Sequence, residues 1–198
     1  MYTIEKIQEN LIEIKKSKFI AWIFPVETQD DVEMYLDNLR KDNRDATHIC
    51  YAYVLSSPNL EKACDNGEPD GTAGKPILDV IKKNNLSNVL IAVIRYFGGI
   101  KLGAGGLVRA YSSASSEVLK LCKIGQVKLM KTYEISTKIP NSKALLDLVK
   151  NNCNIINQTY AEEFKVTISS ENIDFLNNLR FDIKVQEKGQ SRVFYDKD

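Results

Sequence analysis

The amino-acid sequence predicts an α+β fold in two domains, residues 1–124 and 125–198. Strand and helix patterns alternate through the first 124 residues, and a second, shorter series of strands and helices follows Gly125. Glycine is concentrated in the middle of the chain, where eight of the ten glycines lie between Gly67 and Gly106. A chain of 198 residues accommodates one large domain or two small ones.

Composition excludes several classes of protein. Apolar residues make up 43% and charged residues 27%, as in a chain that folds around a core. With 27 basic and 26 acidic residues the formal net charge is +1, so the protein is not a polycation that binds nucleic acid by overall charge. The four cysteines form no CxxC or Cys/His metal pair, and the sequence predicts neither a signal peptide nor a membrane span. We therefore expect a cytoplasmic protein without a bound metal or cofactor and without membrane association.

The first strands and helix are predicted from local patterns. An apolar run that ends at a proline predicts a buried strand over residues 18–24. Residues 27–41 have helical spacing, with Thr28 as the expected N-cap. A strand over residues 48–55 follows, and residues 59–71 are predicted to be a loop.

The middle of the chain is predicted as helix, strand and helix. Thr72 is the expected N-cap of a helix that carries Pro76 in its first turn. Residues 88–94 are continuously apolar, which predicts a central strand covered on both faces. Residues 105–122 keep a helical period after a glycine-rich loop.

The second domain has a different order of elements. The predicted elements, in order, are strand 127–138, helix 141–151, strand 154–160, strand 163–169, helix 171–180 and strand 182–188. This β-α-β-β-α-β order is the ferredoxin-like pattern.

Three carboxylates and three glycines lie around the predicted start of the second helix. Asp65, Glu68 and Asp70 can hold a hard cation or transfer a proton, while the segment with Thr72 and Lys75 at the helix start can meet an anion. The alternative is a turn-rich connection whose acids favour the helix dipole. The alternative is favoured for this segment alone, because the spacing matches no EF-hand.

A second glycine-rich segment joins the predicted central strand to the next helix and contains no acidic residue. Consecutive glycine amides before a helix form a nest for an anion, and nearby cations add charge-assisted hydrogen bonds. The segment is neither a Walker A loop nor a dinucleotide fingerprint, and tight strand-to-helix packing is the alternative. The candidate residues for phosphate or RNA are Arg95, Gly98, Gly99, Lys101, Gly103, Gly105, Gly106 and Arg109, together with Thr72 and Lys75.

No nucleophile and base stand out as a catalytic pair. His48 is the only histidine, and a structural role at a strand end is favoured over a general base. Cys64 lies beside Asp65, and an adjacent acid raises the pKa of a thiol. The aromatic side chains that could stack on bases, such as Tyr111, are more typical of a core. No residue is therefore assigned as catalytic.

Three segments together resemble a known family. The motifs in residues 48–53, 66–78 and 95–111 are similar to those of the YigZ/IMPACT family, and the similarity covers about residues 17–122. The resemblance implies an N-terminal domain with the fold of the second domain of a small-subunit ribosomal protein. It also implies a ferredoxin-like C-terminal domain similar to those of elongation factor G.

The functional implications of the resemblance are limited. Eukaryotic IMPACT relatives regulate translation by competing for a scaffold that activates an initiation-factor kinase, and they use an additional N-terminal domain, so we do not expect that interaction to transfer. For bacterial relatives nucleic-acid binding has been proposed, and some are labelled a dipeptidase. Asn66 stands where the family pattern has an aspartate, which weakens a two-carboxylate metal or acid–base site.

Three functional hypotheses follow. The first is a non-catalytic protein that regulates translation by binding RNA, the ribosome or another phosphate-bearing partner, with no DNA specificity indicated. It would bind through the second glycine-rich segment, residues 95–111, which we call the basic loop. The second is a small-molecule enzyme, a dipeptidase-like hydrolase that binds an anionic substrate between the two glycine loops and uses Asp65 and Glu68. The third is a protein-interaction module that uses an exposed sheet face within residues 127–188.

Overall fold

The computed structural model describes residues 2–197, and its contacts divide the chain into two compact units. The first unit runs to Gln126 and includes Asp196 and Lys197, and the second comprises Val127–Tyr195. Both units combine helices with largely antiparallel sheets. The unit boundary lies two residues after the predicted junction, and the last residues group with the first unit.

The first unit is built on a five-stranded sheet of order β2-β3-β6-β4-β5, in which every pair is antiparallel. Its strands and helices are β1 (Thr3–Ile4), β2 (Gln8–Ile14), β3 (Ser17–Pro25), α1 (Gln29–Asp42), β4 (His48–Ser56), β5 (Asn59–Cys64), α2 (Gly74–Lys83), β6 (Val89–Tyr96) and α3 (Ala104–Lys120). β1 pairs with the first two residues of β7 (Ile124–Thr137).

The central strand β6 is buried on both faces, as its apolar run predicts. Val89, Ile91 and Val93 belong to the core under α2 and α3. The alternate residues of β6, Leu90 among them, belong to the core under α1. The alternation of a strand's side chains therefore gives this sheet two hydrophobic layers.

Helix α1 confirms its predicted start. The Thr28 side chain accepts a hydrogen bond from the backbone N–H of Asp31, and the Asp31 carboxylate accepts one from the N–H of Thr28. This reciprocal capping box satisfies two N–H groups that the first turn leaves free.

Two predictions in the first unit are wrong. Residues 59–64 form strand β5 rather than a loop; it is an edge strand exposed on most of its length, so it lacks the apolar alternation that reveals a half-buried strand. Thr72 does not cap α2, because its hydroxyl donates to the Pro69 carbonyl at 2.6 Å and the N-cap position is Ala73.

The second unit contains one sheet and one core. Strands β7 and β8 (Asn154–Tyr160) both pair antiparallel with β9 (Phe164–Ser170), and β10 (Lys184–Asp196) pairs with β7. A 3-10 turn and helix α4 (Ser142–Lys150) follow β7, and the core lies against α4. The strand order is β8-β9-β7-β10.

The predicted helix over residues 171–180 is wrong, since only Asp174–Asn178 is helical and it is a 3-10 turn. Asn172 explains the difference in part, because its side-chain oxygen accepts a hydrogen bond from the Asp174 N–H at 3.3 Å. Asparagine side chains compete in this way with helical hydrogen bonds. Throughout the described residues, no helix has the length and apolar character needed to cross a bilayer.

Candidate functional site

The acidic loop, residues 65–73 between β5 and α2, is held in place by Asp65. Its carboxylate accepts hydrogen bonds from the backbone N–H groups of Gly71, Ala73 and Gly74 at 2.8–2.9 Å. The N–H groups of Ala73 and Gly74 lie at the start of α2, so a residue outside the helix supplies the cap that Thr72 does not. Burial by itself would raise the pKa of Asp65, but the three N–H donors outweigh it and lower the pKa.

The Asp65 cap makes stability depend on pH. A carboxylate whose pKa is lower in the folded state stabilises the fold above its unfolded-state pKa, and this contribution is lost as the pH falls through the folded-state pKa. We expect Asp65→Asn to lower the free energy of unfolding by about 1 kcal/mol at neutral pH. Urea unfolding of both proteins from neutral to acidic pH should show the difference shrinking towards low pH. A difference that stays constant or grows on acidification would contradict the assignment.

Glu68 is the buried centre of the site. Its Oε1 atom accepts a hydrogen bond from Arg95 Nη1 at 2.6 Å and another from the Tyr111 hydroxyl at 2.8 Å. Both side chains of the ion pair are buried, with 3% of Glu68 and 7% of Arg95 exposed. One carboxylate therefore connects the acidic loop to β6 and α3.

Arg95 reaches Glu68 from the end of the central strand. It pairs in register with Phe19 on one neighbouring strand and with His48 on the other. Its guanidinium carbon lies 5.5 Å from the ring centroids of both Phe19 and Phe97. The guanidinium is thus held by two aromatic rings and one carboxylate, inside the protein and not on its surface.

The position of His48 defines its neutral tautomer. Nδ1 lies 2.9 Å from the carbonyl oxygen of Asn66, and because a carbonyl only accepts, Nδ1 carries the proton. Nε2 then faces Glu68 Oε2 at 3.9 Å. The turn that places the Asn66 carbonyl needs positive φ at Asn66 and Gly67 (42° and 87°), and a Cβ at Gly67 would lie 3.2 Å from His48 Nδ1.

Cys50 and Tyr111 complete the buried network. Cys50 Sγ lies 2.8 Å from the Asp65 carbonyl oxygen and 3.3 Å from the Tyr111 hydroxyl. Burial raises the pKa of Cys50 to about 12, and burial also raises the pKa of Tyr111. Both groups are protonated at neutral pH, so neither supplies an activated nucleophile.

The two carboxylates suggested for acid–base chemistry in the acidic loop already have hydrogen-bond or ion-pair partners. Asp65 is bonded to three N–H groups, and Glu68 is paired with Arg95. Within residues 2–197, no three His, Cys, Asp or Glu side chains are grouped so that they could hold a metal ion. This buried network holds the acidic loop and the basic loop in position.

The basic loop contacts the hairpin turn between β2 and β3. The Gly98 N–H donates to Ser17 Oγ at 3.1 Å. A Cβ on Gly98 would lie 2.0 Å from the Lys16 carbonyl carbon, so only glycine allows this approach. The turn itself has positive φ at Lys15 and Lys16, 47° and 64°, as two-residue hairpin turns of type I′ require.

The contact places two lysines of the turn next to the basic loop. Lys15, Lys16, Lys101 and Arg109 are all exposed. None of these four has an acidic partner among the residues that the structure describes. We call this set the basic surface.

Helix α3 starts beside the basic surface without a side-chain cap or an acidic residue in its first turn. Arg109 Nη1 would lie 3.7 Å from a Cβ on Gly105, so the guanidinium points back over the first turn. Gly103 and Gly99 adopt positive φ, 69° and 83°, and Gly106 lies in the same first turn. The free N–H groups and the Arg109 guanidinium are therefore near each other.

The other predicted residues lie apart from the basic surface or are engaged. Lys75 pairs with Asp79 at 2.8 Å on the exposed face of α2. Thr72 is buried against Pro69, and Asp70 is exposed. The acidic and basic loops do meet, but through Glu68 and Arg95 rather than through the exposed cations.

Sequence reasoning did not identify every residue of the site. The Lys15–Lys16 turn was missed because it lacks the glycine or asparagine typical of such turns, although strands flank it on both sides. Tyr111 and Cys50 carried no local signal, since their partners lie 43 and 15 residues away. The interaction surface expected on unit 2 stays a prediction. The strands of unit 2 expose the apolar side chains of Val127, Leu129, Ile156, Tyr160 and Val185.

Known proteins are similar to this chain in sequence and in fold. The family model of the Impact N-terminal domain matches residues 15–119. The IMPACT family member YvyE of Bacillus subtilis is 39% identical over 197 residues, covering 94% of this chain and 91% of that protein. The IMPACT family member YigZ of Escherichia coli is 37% identical over 111 residues, 54% of each chain.

A crystal structure of a hypothetical protein superposes with a TM-score of 0.63 at 25% identity, over 93% of this chain and 95% of that one. The family model covers the strands and helices that carry both glycine loops, and the relative from Bacillus subtilis extends the similarity over both units. This protein therefore belongs to the IMPACT family.

Proposed function

We propose that this protein acts in translation by binding the phosphate backbone of RNA, free or within the ribosome, through the basic surface of Lys15, Lys16, Lys101 and Arg109. The observation that carries the proposal is the convergence of two exposed, basic segments that are far apart in sequence. Gly98 holds one against the other by backbone contact. Cations without acidic neighbours attract phosphate and release its counterions.

The start of α3 supports the same ligand chemistry. Its free N–H groups and the positive end of the helix dipole favour an anion, and Arg109 lies over that turn. Phosphate oxygens can accept from backbone N–H groups and from a guanidinium at the same time. These N–H groups and cations would recognise the phosphate backbone and not the base sequence.

Arg95 has a supporting role in this proposal. Its charge is balanced by Glu68, so it is not counted among the phosphate ligands. Its place at the end of β6 makes it a positioning residue for the loop that carries Lys101.

Family membership supports the link to translation. The family resemblance described above links eukaryotic members to the regulation of translation, and the family model matches residues 15–119 of this chain. We further infer that unit 2 is ferredoxin-like, supported by its strand order β8-β9-β7-β10, and that the first unit has the fold of the second domain of a small-subunit ribosomal protein. Four free cysteines agree with action in the cytoplasm.

Salt-dependent binding tests the proposal. We expect Lys101→Gln/Arg109→Gln to weaken binding to fluorescently labelled oligouridine and to purified ribosomes. For single-stranded RNA, each lost phosphate contact should reduce the slope of log K against log salt by about 0.7. Lys15→Gln/Lys16→Gln should act in the same direction, since the turn belongs to the same surface.

The control is Lys41→Gln/Lys83→Gln, which removes the same charge from the exposed ends of α1 and α2. Its salt slope should remain close to that of the unchanged protein. Equal slopes for all three double variants, or no binding at low salt, would refute the proposal. Unfolding curves of each variant exclude loss of fold as the cause.

A further inference from the structure

A groove of about 380 Å³ in the first unit takes no part in the proposed function. It lies on the sheet face that carries α1, opposite α2 and α3. Its floor is formed by β3 residues that include Trp22 and Phe24, and α1 supplies Tyr35 and Asp42 as one wall. Glu9 of the edge strand β2 stands on the other side.

Three aromatic rings form a continuous stack in this groove. Trp22 and Phe24 have ring centroids 5.8 Å apart and planes 9° apart. Phe24 and Tyr35 have centroids 4.3 Å apart and planes 24° apart. Trp22 and Tyr35 are partly exposed, so aromatic surface is available to a ligand. The negative face of an aromatic ring attracts a cation.

Two carboxylates stand at the rim of the same groove. Glu9 lies directly opposite Trp22 in the β2–β3 register, and Asp42 is the last residue of α1. No lysine or arginine lines the groove. Neither carboxylate has a hydrogen-bond or ion-pair partner within residues 2–197.

The position of Asp42 points to a ligand from outside. A carboxylate at the C-terminal end of a helix faces the negative end of the helix dipole, which disfavours it. A cation held between Asp42 and Glu9 would remove that unfavourable interaction. The groove is thus negative at its rim and aromatic at its floor, which is complementary to a long side chain with an apolar stem and a cationic end.

The surface continues beyond the groove along the edge strand. Leu11 follows Glu9 on the same face of β2, pairs in register with Ile20, and is 55% exposed. An apolar neighbour next to a cation pocket suits a peptide, whose adjacent side chains need a place to pack.

We propose that this groove binds a basic segment of a partner protein, with an arginine side chain lying on Trp22 and its guanidinium between Glu9 and Asp42. The site is independent of the basic surface, because it lies on the other side of the sheet and has the opposite charge. The protein would then hold RNA and a basic protein partner at the same time.

The experiment uses Trp22, the only tryptophan of the chain, as the reporter. The probe is an acetylated and amidated peptide, Gly-Leu-Gly-Arg-Gly-Leu-Gly, titrated at low salt while tryptophan fluorescence is recorded. We expect a saturable change, with binding about tenfold weaker when citrulline replaces arginine, because citrulline keeps the shape and loses the charge. N-acetylarginine amide should bind more weakly than the peptide.

Variants assign the binding to the groove. Glu9→Gln and Asp42→Asn should each weaken peptide binding, while Glu33→Gln, an equal charge change on the exposed side of α1, should leave it unchanged. Equal binding of the citrulline peptide, or equal weakening by all three variants, would overturn the proposal. Binding of N-acetylarginine amide as tight as that of the peptide would overturn the peptide as occupant.

Discussion

Replacing Glu68 by glutamine is expected to lower the free energy of unfolding by about 3–5 kcal/mol. The change leaves the buried guanidinium of Arg95 without its carboxylate, and it also weakens the acceptor of the Tyr111 hydroxyl. An uncompensated charge in a medium of low polarity costs several times more than a lost surface ion pair. Urea unfolding followed by Trp22 fluorescence measures the effect.

An exposed ion pair supplies the matched control. Glu61 and Lys82 pair at 3.0 Å with about half of each side chain exposed, 50% and 52%. The same substitution there, Glu61→Gln, should cost at most about 1 kcal/mol. A loss for Glu68→Gln no larger than that for Glu61→Gln would show that the buried pair is not what joins the loops.

A double variant separates the charge from the packing. In Glu68→Met/Arg95→Met both charges are removed and the volume is largely kept, so much of the lost stability should return. Stability of the double variant below that of Glu68→Gln would mean that hydrogen bonds to Tyr111, and not the unpaired charge, dominate.

Replacing Gly98 by alanine is expected to lower the free energy of unfolding by about 1–3 kcal/mol and to weaken the RNA binding that we propose. The new Cβ would lie 2.0 Å from the carbonyl carbon and 2.1 Å from the carbonyl oxygen of Lys16, and 2.4 Å from the backbone nitrogen of Ser17. These are backbone atoms that cannot rotate away, so the loop and the hairpin turn must separate. Urea unfolding gives the stability, and amide shifts of Lys15 to Ser17 in NMR spectra report the separation.

Gly105→Ala is the control for this prediction. Its Cβ would meet only Arg109 Nη1 at 3.7 Å, an ordinary contact, and its backbone is helical. Alanine in a helix is favoured over glycine by about 0.5–1 kcal/mol, so this variant should be neutral or slightly more stable. Equal behaviour of the two variants would contradict the close contact between the basic loop and the turn.

The Glu68–Arg95 pair and Gly98 stabilise the same arrangement of loops. Glu68 and Arg95 fix the acidic loop against the end of β6, and Gly98 fixes the segment after β6 against the β2–β3 turn. Arg95 and Gly98 lie three positions apart in the sequence. We infer that the buried ion pair serves to hold the exposed cations in place, which is why its loss should affect binding as well as stability.

The start of helix α1 and the buried strand β6 of the first unit could be predicted from the sequence. Thr28 and the acids after it define the start of α1, and the uninterrupted apolar run defines the buried strand β6. Such signals involve residues within one or two turns or along one strand, and the physical causes, capping and burial, act over the same short range. Strand β5 is mostly exposed, so its sequence lacks the apolar alternation from which a strand could be predicted.

The sequence by itself determined the family motifs, the two-domain α+β class and the two glycine loops as the unusual segments of the chain. Only the tertiary structure decided which of their charges remain free. Arg95 and Glu68 are 27 residues apart, and Ser17 and Gly98 are 81 apart, so no local pattern relates them. Antiparallel register brings His48 and Phe19 to either side of Arg95 and turns its side chain inward, while the lysines of the hairpin turn stay in solvent. Strand pairing therefore determines which cations are neutralised by burial against a carboxylate and which are exposed to a ligand.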